Sequence, residues 1–165
     1  MSKKLPKAIR PEEFPLIIKK TRKNDNQARI AFLLAYGAGL RISEVINLKP
    51  ENIKDTYIEI LDAKYGKDRM VPLPKGWKSN MTRFLPIAKS DRALRENFKT
   101  ASRKAGLNPE YSFHSLRHGF ATRLIESGVP LNQVQVLLGH SNISTTNVYV
   151  RARPMDALKS YEELF

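Results

Sequence analysis

HSLRHGFATRLIESG, residues 114–128, carries a helical pattern that Gly128 ends, and it holds two of the chain's three histidines. Spacings of three and four residues put His114, Arg117 and His118 on one helical face. Moving towards the C-terminus, 130–138 repeats the helical pattern, with Gly139 where a helix commonly closes in the left-handed conformation. Moving towards the N-terminus, 91–105 gives another helix, ended by Gly106. Residues 27–38 (QARIAFLLAYGA) are apolar almost all round, as a helix buried in a core would be. Gly37 and Gly39 punctuate its end, and Leu40-Arg41-Ile42-Ser43-Glu44 starts a new turn for which Ser43 is the expected N-cap.

Between these helical stretches the period changes. Tyr57-Ile58-Glu59-Ile60-Leu61 and Arg69-Met70-Val71-Pro72-Leu73 are short β-prone runs joined by a turn rich in Lys, Gly and Asp, which predicts a hairpin. Pro72 assigns the second strand to an edge. Residues 75–90 show no single period, with Trp77 the expected core contact there. Pro11-Glu12-Glu13 opens a helix that carries Ile17 and Ile18, and residues 1–10 read as a loose basic arm. Ser144 is placed to cap a helix carrying Tyr149, and 155–164 is amphipathic, with Leu158, Tyr161 and Leu164 on one side. The expectation is a mainly α fold with one small antiparallel β-sheet (α+β), as a domain over 11–165 behind the arm 1–10.

Composition narrows the function. With 29 Lys+Arg against 16 Asp+Glu in 165 residues, the net charge is +13, which favours a polyanionic partner, nucleic acid before an anionic membrane surface. No apolar run approaches the ~20 residues needed to span a bilayer, and nothing resembles a secretory leader, so a cytoplasmic protein is expected. Zero Cys excludes disulfides, thiolate metal sites and a thiol nucleophile.

Three constellations carry chemistry. His114 and His118, at i and i+4, have the spacing of a zinc pair, but Ser115 stands where a zinc protease has Glu and no third ligand is evident. His118 is expected as a hydrogen-bonded core residue. Arg41 and Arg117 form a second group: guanidinium forks match phosphate oxygens and stay charged at working pH. Glu44, three residues after Arg41, is placed to orient an arginine. The third group is 130–150, where helix, glycine turn and polar-faced helix also suit a helix-turn-helix DNA reader.

Four segments in one order are more specific than any of these alone. Gly39-Leu40-Arg41-Ile42-Ser43-Glu44, His114-Ser115-Leu116-Arg117-His118-Gly119-Phe120-Ala121-Thr122, Leu138-Gly139-His140 and Thr145-Thr146-Asn147-Val148-Tyr149 resemble the tyrosine recombinase (phage integrase) family. The segment Lys64–Leu73 is similar to the hairpin that carries the family's catalytic lysine. The resemblance runs from about residue 10 to 155. It implies that Tyr149 is the nucleophile, that Arg41 and Arg117 hold the scissile phosphate, and that Lys64 is the general acid. It implies further that His114 assists proton transfer and that His140 bonds the phosphate or the nucleophile. Because the turn reads Ala63-Lys64-Tyr65-Gly66-Lys67, Lys67 is a rival for the acid.

The partner implied is double-stranded DNA, on which the chain would form a homo-oligomer, a tetramer, through exchange of the C-terminal helix 155–165. No cofactor or metal is implied. Family members usually carry an N-terminal DNA-clamping domain and nothing here corresponds to one, so a minimal enzyme or a separate catalytic domain is expected. A topoisomerase-like nicking and resealing activity, or a non-catalytic helix-turn-helix regulator, would use some of the same residues. The other tyrosines have ordinary places: Tyr36 in the core, Tyr57 in a strand, Tyr161 on the last helix, and Tyr65 and Tyr111 in loops.

Overall fold

In a computed structural model, residues 7–61 and 68–139 are described, together with Leu158 and Tyr161. Among the described residues the elements follow in the order α1 (Phe14–Lys20), α2 (Asn26–Ala38), α3 (Ile42–Asn47), β1 (Tyr57–Ile60), β2 (Arg69–Pro72), α4 (Asp91–Lys104), α5 (His114–Glu126) and α6 (Leu131–Leu138), the two strands forming a hairpin. Short 3₁₀ turns occupy Pro50–Asn52 and Ser79–Phe84. The fold is mainly α with one two-stranded antiparallel sheet, as expected.

The core forms around α2. Asp25 caps this helix by accepting the Ala28 N–H at 3.0 Å, and Ala28, Ala31, Phe32, Leu34 and Ala35 are fully enclosed. Phe32 meets Phe98 of α4 at 5.7 Å and Phe113, just before α5, at 6.0 Å, both edge to face. These ring contacts tie three segments distant in sequence into one layer. On the other side of α5, Phe120 and Leu124 join Val134, Leu137 and Leu138 of α6 in a second apolar cluster. The hairpin pairs Tyr57 with Pro72 and Ile60 with Arg69, and its Ile58, Ile60 and Val71 side chains are buried.

Three local expectations change. Ser43 is not the N-cap of α3. Arg41 occupies that position, and the Glu44 carboxylate reaches back one turn to accept the Arg41 N–H at 2.8 Å. A carboxylate at the third helical position satisfies that donor and complements the helix dipole, so a hydroxyl cap is unnecessary. The loose arm does not extend through residue 10: Ile9 is buried and its N–H donates to the Ser115 carbonyl at 3.1 Å. The helix begins at Phe14, with Pro11–Glu13 forming a turn before it. Tyr111 does lie in a loop, but it is buried there, donating its hydroxyl to Glu13 at 2.9 Å.

Trp77 is part-buried against the main core, and Tyr36 is buried, as expected. Leu158 and Tyr161 are also buried, in the α5–α6 cluster of their own chain, with the Tyr161 ring 6.3 Å from Phe120. The stretch expected to reach a neighbouring protomer therefore has two of its apolar residues seated in cis. No helix among the described residues is long and apolar enough to cross a membrane.

Candidate active site

Two left-handed glycines bracket the site. Gly39 (φ 72°) closes α2 and Gly139 (φ 68°) closes α6, and each turn brings a carbonyl within reach of Arg117. Arg117 is buried on α5. It donates through Nη1 to the Gly39 carbonyl at 2.7 Å and through Nη2 to the Leu138 carbonyl at 2.8 Å. Both acceptors are uncharged. Among the described residues Arg117 makes no ion pair, so its geometry is fixed while its positive charge is left uncancelled. Burial first, then repulsion from Arg41 and Arg69, push its pKa down to about 9 against the attraction of Glu44, and it remains charged at neutral pH.

Glu44 is the hub of the cluster. Its two oxygens accept a bidentate fork from Arg69, at 2.7 and 2.8 Å, while Oε1 also meets the Arg41 guanidinium at 3.2 Å. Burial alone would raise its pKa. The hydrogen bonds and charge of Arg69, the Arg41 N–H and the charge of Arg117 outweigh that and hold the carboxyl below its usual value. Arg69 also donates through Nε to the Leu137 carbonyl at 3.0 Å. Thus Arg69 and Arg117 satisfy two neighbouring carbonyls at the C-terminal end of α6, where a helix end favours cations.

His114 stands at the first position of α5, exposed, with its ring 4.4 Å from His118 and nearly perpendicular to it. Partial burial, then the positive surroundings of His118, Arg117 and Arg41, push its pKa down to about 4. Burial and Arg117 lower His118 in the same direction. Both imidazoles are therefore neutral at pH 7 and able to accept a proton hydrogen bond. His118 does not take the core position expected of it. It is only half-buried, because α5 turns this face towards a pocket of about 240 Å³ lined by His114, Arg117, His118 and apolar residues of α5 and α6. Among the described residues no three of His, Cys, Asp and Glu converge to hold a metal ion.

Comparison with known proteins gives the family and the fold. A model described as "Phage integrase family" matches residues 7–155. The chain belongs to the phage integrase family. Tyrosine recombinase XerA of Thermococcus kodakarensis is 37% identical over 96% of this chain and 63% of its own length. The XerA of Pyrococcus furiosus is 34% identical over 90% of this chain and 58% of its own length. The chain thus spans about three-fifths of these curated relatives. Among solved structures, the integrase from mycobacterium phage Brujita superposes with a TM-score of 0.75 at 23% identity, covering 100% of this chain and 60% of that one. At such identity the likeness speaks to the fold.

Of the predicted site residues, Arg41, His114 and Arg117 are brought together, close enough for their charges to act on one another. Lys64 and its rival Lys67, His140, Tyr149 and the helix expected from Ser144 lie outside the described residues. Glu44 orients arginine side chains as expected, but its main partner is Arg69, which sequence reasoning did not single out. The available signal was a cation at the first position of a strand whose other residues are Met, Val and Pro.

Proposed function

We propose that this chain is the catalytic part of a site-specific DNA recombinase, cleaving and rejoining strands through a 3′-phosphotyrosyl link. The observation that carries this reading is Arg117: a buried guanidinium held by two carbonyls, within the field of Arg41, with no carboxylate paired to it among the described residues. Such a charge, buried and held by neutral acceptors, suits the extra negative charge that develops on a phosphoryl group in transfer. The net charge of +13 suits a duplex substrate.

In this reading the Tyr149 hydroxyl attacks the scissile phosphorus and its proton passes to a base, with neutral His114 placed to assist. The phenol has an ordinary pKa near ~10, so adjacent positive charge is needed to make it reactive. The P–O bond to the 5′-oxygen breaks as the Tyr149–phosphorus bond forms, and Lys64 donates a proton to that leaving oxygen. The covalent link conserves the phosphodiester's free energy, so resealing by another 5′-hydroxyl needs no ATP. Arg41 and Arg117 supply the positive charge in place of a metal. Residues 11–165 would form the catalytic domain, working in the cytoplasm as a tetramer on DNA. The C-terminal segment would leave its cis position for a neighbour in that assembly.

Tyr149→Phe tests the nucleophile. With nicked duplex carrying the proper site, the variant should keep its affinity and melting temperature and form no covalent adduct. A persisting adduct would refute the assignment. Replacing the bridging 5′-oxygen by sulfur tests the acid, because a thiolate leaves without a proton. Lys64→Ala should be slowed by ~10²–10⁴ on ordinary DNA and rescued on the sulfur substrate. Rescue of Lys67→Ala, with Lys64→Ala unaffected, would move the role to Lys67.

A further inference from the structure

Arg69 is 7% exposed and reaches from the hairpin to two other parts of the fold, the start of α3 and the end of α6. Its Nη atoms fork onto Glu44 at the start of α3, its Nε holds the Leu137 carbonyl, and its aliphatic stem lies against Gly139. A Cβ at position 139 would come within 2.9 Å of the Arg69 Cδ and Nη1. The fork decides what remains of Glu44 for the other arginines. A carboxylate offers about four lone-pair directions. Arg69 takes one on each oxygen, at 2.7 and 2.8 Å, and the Arg41 N–H takes another at 2.8 Å. The Arg41 guanidinium is left with one longer contact, 3.2 Å, and its side chain is 39% exposed. Among the described residues nothing takes its remaining donors, which can face an anion.

We propose that Arg69 is a positioning residue that occupies Glu44 and so reserves the Arg41 and Arg117 guanidiniums for phosphate. The inference rests on the recombinase reading for its reaction, though not for its electrostatics. Three guanidiniums and one carboxylate leave the cluster two positive charges in excess. Without Arg69, Glu44 is a poorly hydrated carboxylate whose remaining cationic neighbours are Arg41 and Arg117. A buried charge takes a partner. It would take the Arg41 fork, and one of the two charges meant for phosphate would be spent within the protein.

The test is a double-mutant comparison on the full chain, using Arg69→Met and Arg69→Met/Glu44→Gln. Gln keeps an oxygen for the Arg41 N–H but carries no charge. Binding to a short duplex of mixed sequence is measured across a salt series, and cleavage is measured on nicked duplex. All assays run below the melting transition of every variant. Arg69→Met should flatten the salt dependence by about 0.9, one phosphate contact, and slow cleavage by about 10²-fold. The double variant should regain the wild-type slope and most of the rate, although it has lost more hydrogen bonds. A double variant no better than Arg69→Met, with both folded, would overturn the proposal, since a merely structural role predicts that result. If Arg69→Met does not fold, Arg69→Lys, which cannot fork both oxygens, should show the same changes in smaller measure. An unchanged slope in Arg69→Lys would then overturn it. The binding arm involves no covalent step. A wild type that binds but forms no adduct would strike the recombinase reading and leave this inference standing.

Discussion

Arg69 and Arg117 approach adjacent carbonyls at one end of α6, one from the hairpin and one from α5, and both are buried. Their company differs. Arg69 has a carboxylate on both Nη atoms, whereas Arg117 has two peptide oxygens. A paired buried charge is settled, and its removal is felt as a loss of stability. A buried charge held only by dipoles keeps its attraction for an incoming anion, and its removal is felt in function. The same residue type thus occupies Glu44 on one side and holds an open binding capacity on the other.

The largest expected effect lies on the Arg117 side. Arg117→Ala should slow strand cleavage by about 10²–10³-fold, the usual result of deleting one donor to a developing oxyanion. A bridging sulfur should not rescue it, because sulfur repairs leaving-group protonation and not phosphate charge. Its melting temperature should fall less than that of Glu44→Ala. If Arg117→Ala instead unfolds the chain and a folded Arg117→Lys is fully active, the contrast between the two arginines fails.

On the Arg69 side a loss of stability should accompany the change in binding and rate. Glu44→Ala leaves the Arg69 guanidinium buried without its carboxylate and removes the acceptor for the Arg41 N–H. Breaking a buried pair from one side costs about 3–5 kcal/mol, and at 13% side-chain exposure Glu44 should fall near the lower figure. Denaturant titration reads this directly. A loss below 1 kcal/mol would mean that water or Arg41 compensates freely, and that Arg69 is not settled by Glu44.

The sequence made one of these arginines visible and hid the other. Arg117 lies on a long helix with a plain period, beside a histidine, so its face and company could be read locally. The same holds for α2, α4, α5 and α6, whose ends are written in Asp25, Ser90, Gly106, Gly128 and Gly139. Arg69 begins a four-residue strand, where alternation says little. Its partners, Glu44 and Leu137, stand 25 and 68 residues away. Nothing short-range announces that pairing. Ser43 misled for a related reason: hydroxyls are common caps, but Glu44 could satisfy the same turn while also serving Arg69. Ile9 was hidden because a few scattered apolar residues among basic ones give no period.

Gly139 ties the two sides together and gives a smaller effect. Ala there would adopt a positive φ of 68° and meet the Arg69 side chain. Left-handed backbone costs a non-glycine residue about 1–2 kcal/mol, and Arg69 can give only by loosening its fork. Gly139→Ala should therefore lower stability by about that amount and shift cleavage in the direction of Arg69→Met. Gly128, with φ 86° but open space at its Cβ position, is the control: Gly128→Ala should cost stability alone.

The smallest effect is in acid, and it separates the arginines once more. Partial burial, then the charges of His118, Arg117 and Arg41, hold the His114 pKa down at about 4, against 6.5 for a free imidazole. The folded chain therefore refuses a proton that the unfolded chain accepts. Stability from this group is fully present above pH 6.5 and is lost as pH falls towards 4, below which its contribution levels off. His118, lowered by burial and by Arg117, adds in the same direction. Because His114 is exposed, the loss should be modest, visible as a slope in denaturation midpoints between pH 6.5 and 4.5 and not as acid unfolding. His114→Gln should flatten that slope. Arg117→Met should flatten it as well, by removing a charge that depresses both imidazoles. Arg69 is not among the groups that act on either imidazole, so Arg69→Met, although it alters the titration of Glu44, should leave the His114 part of the slope in place, read as the difference between Arg69→Met and Arg69→Met/His114→Gln. Equal flattening by both arginine variants would show that the positive field at His114 belongs to the whole cluster and that the division between its two sides is not real.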